Sequence, residues 1–309
     1  MSAFERFGSP ETFQGGMVSI GNFDGVHRGH QSMIEVLVAE AHAQGVPAVV
    51  LTFHPHPLKL LRPEDAPPQL CTLEHKSDLL ARLGVDAILP YPTDWNLLQL
   101  TPEEFFENIV CRQLQARGLV EGPNFCFGRH RAGDIAKLRE LCDGAGKSLH
   151  VISPVEIDGK LISSSRIRSL LEEGDFTEAM SLLGHPYRLT GRVTRGEERG
   201  RLLGFPTANL ADIQTLLPAD GVYAGEVRLE NDDRHEAAIH IGPNPTFHQA
   251  ERKVEVHILD FTGDLYDRTL HVDLCARIRE TQKFSSVEEL LSQLHRDLSR
   301  VRDIFDQMT

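Results

Sequence analysis

His27 and His30, separated by Arg-Gly, follow the loop Gly21-Asn22-Phe23-Asp24-Gly25 and stand where a helical repeat begins. Gly25 and Gly29 let main chain come close to a phosphate, and a helix start adds N–H donors and partial positive charge. Two imidazoles at such a place suit one triphosphate, because they stabilise the charge that grows as pyrophosphate leaves. Chemistry of this kind needs positioning and electrostatics rather than a covalent intermediate. For an isolated H-x-x-H the plainer reading is a pair of polar helix caps, and no third ligand nearby supports a metal. Further on, Ser163-Ser164-Ser165-Arg166-Ile167-Arg168 offers hydroxyls and guanidinium groups suited to phosphate oxygens. Alone it reads as a solvated cap; taken with the histidines it predicts a two-part phosphate clamp.

A different pattern occupies the second half. Spaced glycines, including Gly191, Gly196 and Gly200, lead into Gly204-Phe205-Pro206-Thr207-Ala208-Asn209. Such glycines can wrap N–H groups around phosphates. Thr207 and Asn209 can direct oxygens at a Mg²⁺ ion held mainly by nucleotide phosphates. No G-x-x-x-x-G-K-[ST] occurs, so a P-loop is excluded. In Val254-Glu255-Val256-His257 the alternation puts Glu255 and His257 on one strand face. A carboxylate there can take the proton of an alcohol attacking ATP, against the plain reading of an exposed sheet residue.

The elements that must position these groups fall into two kinds. Met17 to Ile20 reads as a buried strand; Met33, Ile34, Leu37, Val38 and Ala41 recur at helical spacing until Gly45 and Pro47; Val46 to Phe53 is a second strand. This strand-helix-strand unit favours a parallel sheet with ligands at its carboxyl ends, and Leu149 to Ser153 is a further strand candidate. After about Pro186 come short candidates at Arg188 to Thr194, Val222 to Leu229, Glu236 to Ile241, Lys253 to Phe261 and Thr269 to Ile278, which predict a small antiparallel barrel. Ser286 with Glu289 forms a capping box for a last helix, with Val287, Leu290, Leu291, Leu294, Leu298, Val301 and Phe305 on one face. The division between the two parts is expected at 185/186.

Among 309 residues, 45 acidic against 32 basic side chains give a net charge of −13. That speaks against a broad grip on nucleic acid or an anionic membrane and leaves anionic ligands to local pockets. Five scattered cysteines, never in a C-x-x-C pair, point to a reducing compartment. With no signal-like start and no long apolar span, the expected location is the cytoplasm.

Several blocks resemble those of the bacterial bifunctional riboflavin kinase/FAD synthetase family. Gly21 to His30 resembles the H-x-G-H signature of the nucleotidyltransferases, and Ser163 to Arg168 resembles their second, serine-rich signature, with Ser165 where threonine is commoner. Thr52 to Pro57, with His54 and His56, and Asn124 to Gly128 are similar to two further blocks. Gly204 to Asn209 matches the P-T-A-N signature of riboflavin kinases, joined by Gly221-Val222-Tyr223-Ala224, Ile241 to Phe247 and Asp264-Leu265-Tyr266. The resemblance implies a Rossmann-like α/β nucleotidyltransferase domain, residues 1–185, followed by a six-stranded, mostly β riboflavin kinase barrel with a C-terminal helix, residues 186–309.

It implies ATP-dependent phosphorylation of riboflavin to FMN, then adenylylation of FMN to FAD with release of pyrophosphate, using Mg²⁺ and ATP for each. His27, His30, Ser164 and Arg168 are assigned to ATP phosphates. Asn124 and His56 are assigned near the reacting phosphates, the adenine or the flavin. Thr207 and Asn209 are assigned to Mg-ATP, Glu255 to the catalytic base, the turns at Gly196 and Gly200 to covering the nucleotide, and Arg279 with the last helix to the flavin side. Two residues depart from the family pattern: His240 for asparagine, and Asp267 for glycine in a turn needing positive φ. Two other readings stand beside this one. One is a riboflavin kinase whose N-terminal domain only binds flavin or nucleotide. The other is a flavin-responsive regulator that contacts nucleic acid or a protein partner, of which the acidic charge speaks against nucleic acid. The expected partners are small molecules, in a monomer or weak homo-oligomer.

Overall fold

The computed structural model describes residues 12–196, 199–229, 233–244 and 249–307. Glu197, Glu198, Pro245, Thr246 and Phe247, which belong to the motif blocks of the sequence, lie outside them. The chain forms two compact units, one of Met1–Pro67 with Leu73–Ser163, the other of Pro68–Thr72 with Ser164–Thr309.

In the first unit five strands, β1 (Met17–Gly21), β2 (Ala48–His54), β3 (Ala87–Pro92), β4 (Gly118–Glu121) and β5 (Ser148–Val151), form a parallel sheet in the order β3-β2-β1-β4-β5. Both faces are buried. Val18, Ile20, Val49, Leu51 and Leu119 point into one core, and Met17, Ala48, Val50 and Val120 into the other. Near-continuous apolar strands are what a sheet covered on both sides requires. Helix Arg28–Gln44 buries Ile34, Leu37 and Ala41 in the second core and ends on Gly45 at φ 65. The chain winds from β1 outward to β3 and then returns to β4 on the other side of β1. The crevice at the carboxyl ends of β1 and β4 is therefore the topological switch point, where such sheets bind ligands. A short hairpin, β6 (Glu156–Ile157) with β7 (Lys160–Leu161), closes the unit.

Apolar patterning in the sequence does not reveal β3 or β4. Pro90 and Pro92 break the strand signature of β3, which is tolerated because β3 is an edge strand. The other, β4, is only four residues long.

In the second unit, helices Ser164–Glu173 and Phe176–Leu183 precede a closed barrel. Its strands are β8 (Tyr187–Thr194), β9 (Ala208–Ala211), β10 (Gly221–Arg228), β11 (Arg234–Asn244), β12 (Gln249–Ile258) and β13 (Thr269–Arg279), in the order β10-β11-β12-β9-β8-β13. The strand missing from the five legible in the sequence is β9, which begins inside the stretch that reads as a Pro-Thr turn. Val193, Leu210, Ile239, Val254 and Val256 are buried, while their neighbours along each strand are not. Helix Val287–Asp306 starts at Ser286, whose side chain accepts from Glu289 N–H. The reciprocal arm differs from the expected capping box, because the Glu289 carboxylate takes its bonds from Ser285. Val301 is buried against Ala224 and Leu259, with Leu298 and Phe305 beside it. Val287, expected on that face, is 48% exposed.

Candidate active sites

The loop leaving β1 is shaped by backbone that few residues adopt: Phe23, Gly25 and Val26 have φ of 46°, 80° and 38°. This turns the chain so that His27 becomes the N-cap of helix Arg28–Gln44. Its Nδ1 accepts from His30 N–H at 3.3 Å, which leaves the proton of a neutral His27 ring on Nε2. The two rings stack, centroids 3.7 Å apart and 14° from parallel. His30 is held well below the ordinary imidazole range, first by burial and then by the charges of His27 and Lys76. Its Nδ1 is buried and has no hydrogen-bond partner among the described residues. His27 thus caps the helix, as the plainer reading expects, and its ring still has an N–H to present.

His56 belongs to the same loop cluster. Its Nδ1 accepts from Leu58 N–H at 3.2 Å, so Nε2 carries the proton of the neutral ring. Nε2 stands 3.0 Å from the Asn22 side-chain amide, which accepts this proton through its oxygen when the amide is turned that way. The Asn22 carbonyl accepts from Lys76 Nζ at 2.5 Å and from Thr52 Oγ1 at 3.2 Å. His54 is exposed, and its pKa is lowered by partial burial and by Lys76. Asn124 is exposed on the loop that follows β4, beside Phe125 and Phe127, whose rings stack at 5.5 Å. Glu121, at the end of β4, is fully buried and accepts from Ile20 N–H at 2.8 Å, and burial raises its pKa well above the usual carboxylate range.

Ser163 ends the first unit; Ser164, Ser165 and Arg168 open helix Ser164–Glu173 of the second. Arg168 is buried and its Nε donates to Pro68 O at 2.7 Å. Arg166 pairs with Glu178. Lys76 and Thr52 join the cluster around Asn22; Thr52 opens the Thr52 to Pro57 block without being assigned a role, and Lys76 lies outside every motif. The signal for Lys76 is its place in the apolar stripe with Leu79 and Leu80.

In the barrel, register brings the second set together. Asn209 on β9 is the direct partner of Glu255 on β12, and Glu255 is the partner of His240 on β11. Partners across antiparallel strands share a face, so amide, carboxylate and imidazole stand side by side. On the other flank Asn209 pairs with Thr194. Burial lowers the His240 pKa, with the Arg279 charge adding to it and Asp220 opposing, and His240 Nδ1 has no partner among the described residues.

Thr207 is exposed and lines a cavity of 610 Å³, together with Arg201, Val256 and the turn residues Asp264, Leu265 and Tyr266. Gly196 and Gly200 lie against the segment from Phe205 to Asn209. A Cβ on Gly196 would collide with Asn209 Nδ2, and one on Gly200 with Phe205 O. Their bareness therefore lets that segment pack closely. Asp267 does adopt φ 61, and its carboxylate accepts from Arg192 at 3.1 Å. The Arg279 guanidinium is committed to Asp297 of helix Val287–Asp306, with contacts of 2.7 to 3.1 Å. Among the described residues no three or more His, Cys, Asp or Glu side chains group to hold a metal.

The FAD synthetase family model matches residues 9–166 and the riboflavin kinase family model residues 183–305. The chain is 37% identical over 292 residues to the bifunctional riboflavin kinase/FMN adenylyltransferase of Escherichia coli strain K12, covering 94% of this chain and 93% of that one. It is 33% identical over 286 residues to the enzyme of the same description from Bacillus subtilis strain 168, covering 91% and 90%. A crystal structure described as a macrolide-efflux protein from Streptococcus pneumoniae superposes with a TM-score of 0.84 at 33% identity, covering 96% of each chain. Among the described residues of this chain no helix is long and apolar enough to cross a membrane.

Proposed function

The chain belongs to the bifunctional riboflavin kinase/FMN adenylyltransferase family, and from that premise we propose that residues 1–185 adenylylate FMN and residues 186–309 phosphorylate riboflavin. The enzyme makes FMN from riboflavin and ATP, then FAD from FMN and a second ATP. What supports the division is that each stretch holds its own group suited to phosphate chemistry: a stacked histidine pair within residues 1–185, the Asn209–Glu255 pair within residues 186–309.

For the kinase step, Glu255 accepts the proton of the riboflavin hydroxyl as its oxygen attacks the terminal phosphorus of ATP, and ADP leaves. Thr207 and Asn209 would hold Mg²⁺. The fit is of the right kind: both offer neutral, hard oxygen donors, so the remaining ligands must come from the nucleotide phosphates. When bound, the ion offsets phosphate charge. Arg279 fixes the last helix to the barrel and thereby the wall assigned to the flavin.

For the adenylyl step, an FMN phosphate oxygen attacks the α-phosphorus of ATP and pyrophosphate leaves. His27 Nε2–H donates to the departing charge. His30, neutral before ATP arrives, gains affinity for a proton as negative charge builds. The loop residues Gly21, Asn22, Phe23, Asp24 and Gly25 supply backbone toward the phosphates, and His56 and Asn124 flank them. Ser163, Ser164, Ser165 and Arg168 are assigned to ATP by the family likeness. We place the enzyme in the cytoplasm, acting on small molecules.

Chromatography of purified protein given riboflavin, ATP and Mg²⁺ tests the reading. FMN should accumulate first and FAD follow, and chelation of Mg²⁺ should stop both. FMN with no FAD would favour the kinase-only alternative.

A further inference from the structure

Lys76 lies on helix Leu73–Arg82 with only 8% of its surface exposed. Its ammonium donates to Asn22 O at 2.5 Å and to Thr52 Oγ1 at 3.2 Å, both uncharged oxygens. Among the described residues no carboxylate forms an ion pair with it. A cation removed from water and left without an anion is costly, and because buried charges are as a rule paired, the counter-charge is left for a ligand to supply. The positive charge reaches the site already described, for it lowers the proton affinity of both His30 and His54; Glu74, on the same helix, opposes it at His54. Lys76 also works on the loop itself: with Thr52, which donates to the same carbonyl at 3.2 Å, it pins the residue that follows Gly21.

We propose that Lys76 is a further binding residue of the adenylyl-transfer site, the buried cation whose missing counter-charge is the polyphosphate of ATP and of the pyrophosphate that leaves. The assignment rests on reading the His27 loop as that site. Two of the three ammonium donors go to the loop and to Thr52, so the group is oriented before the ligand arrives. Preorganised charge of this kind stabilises a developing anion without having to reorient. FMN brings a phosphate too, and the two sources are separable by experiment.

The test uses the full-length chain and inorganic pyrophosphate as probe, in FAD formation from supplied FMN. Lys76→Met should weaken inhibition by pyrophosphate and raise KM for ATP by about tenfold or more, the scale of losing one buried charged partner. KM for FMN should stay within about twofold, and Lys76→Arg, which keeps the charge in a larger group, should retain more of the pyrophosphate affinity than Lys76→Met. In the wild-type protein, the Lys76 ¹⁵Nζ resonance should shift on adding pyrophosphate, a readout that needs no folded variant. Unchanged pyrophosphate inhibition in Lys76→Met, an unmoved resonance, or a loss confined to FMN would each overturn the proposal. Wild-type protein that forms no FAD at all would instead overturn the reading of the site.

Discussion

Two imidazole rings stacked at 3.7 Å repel each other once both carry protons. At His30 burial comes first and the His27 charge second in holding the pKa well below the ordinary imidazole range. The electrostatic demand then comes from the substrate, and removing one ring removes a donor made for the transition state. His30→Ala should lower FAD formation from FMN by about 10²- to 10³-fold while FMN formation from riboflavin persists, as read by chromatography of the flavins. Glu255→Gln should do the opposite, cutting riboflavin phosphorylation by about 10²- to 10⁴-fold with FAD formation from supplied FMN retained. His27, His30, Thr207, Asn209 and Glu255 can be singled out in the sequence because their motifs are contiguous or follow strand alternation, while the roles proposed for them come from the family resemblance. Lys76 cannot be singled out this way. Its neighbours in space, Asn22 and Thr52, are 54 and 24 residues away, and its one local signal, a place in the apolar stripe with Leu79 and Leu80, reads equally as a lysine snorkelling off a helix.

At the scale of elements, the strands with β-branched runs and the helices with apolar periodicity are readable, and the short or proline-bearing strands β3, β4 and β9 are not. Tertiary pairing makes those last three: β3 tolerates its prolines at an edge, and β9 exists because β8 and β12 flank it. The Arg279–Asp297 pair that ties helix Val287–Asp306 to β13 is another long-range fact, with side chains 16% and 3% exposed. Removing one partner of such a pair strands the other. Asp297→Ala should destabilise the barrel by about 3 kcal/mol, measured by denaturant unfolding; a change below about 0.5 kcal/mol would mean that the ion pair is idle. Glu121, which braces the end of β1 from β4, gives a prediction with a sign. Its folded-state pKa is raised, so its contribution is full below the ordinary carboxylate pKa and is lost as pH rises through the folded value. Glu121→Gln keeps an acceptor for Ile20 N–H and has no proton to lose. In thermal melting the variant should therefore gain on the wild type by about one to three degrees between pH 5 and pH 8. A flat difference would contradict it.

At the scale of the whole chain, a polypeptide with net charge −13 must on this proposal meet polyanionic substrates through local groups: a helix start with two histidines and a buried lysine in one unit, and in the other a Thr-Asn turn beside a carboxylate, where a bound Mg²⁺ would supply the positive charge. The central claim is that they act as separate sites. The most direct test mixes two damaged proteins. Glu255→Gln and His30→Ala, each alone, are given riboflavin, ATP and Mg²⁺, and then both are combined in one reaction. The account predicts almost no FAD from either alone, FMN from His30→Ala, and FAD from the mixture, because FMN released by one chain is adenylylated by the other. A mixture that still makes no FAD, although each variant keeps its remaining activity on supplied substrate, or a Glu255→Gln protein that makes FAD from riboflavin unaided, would contradict it.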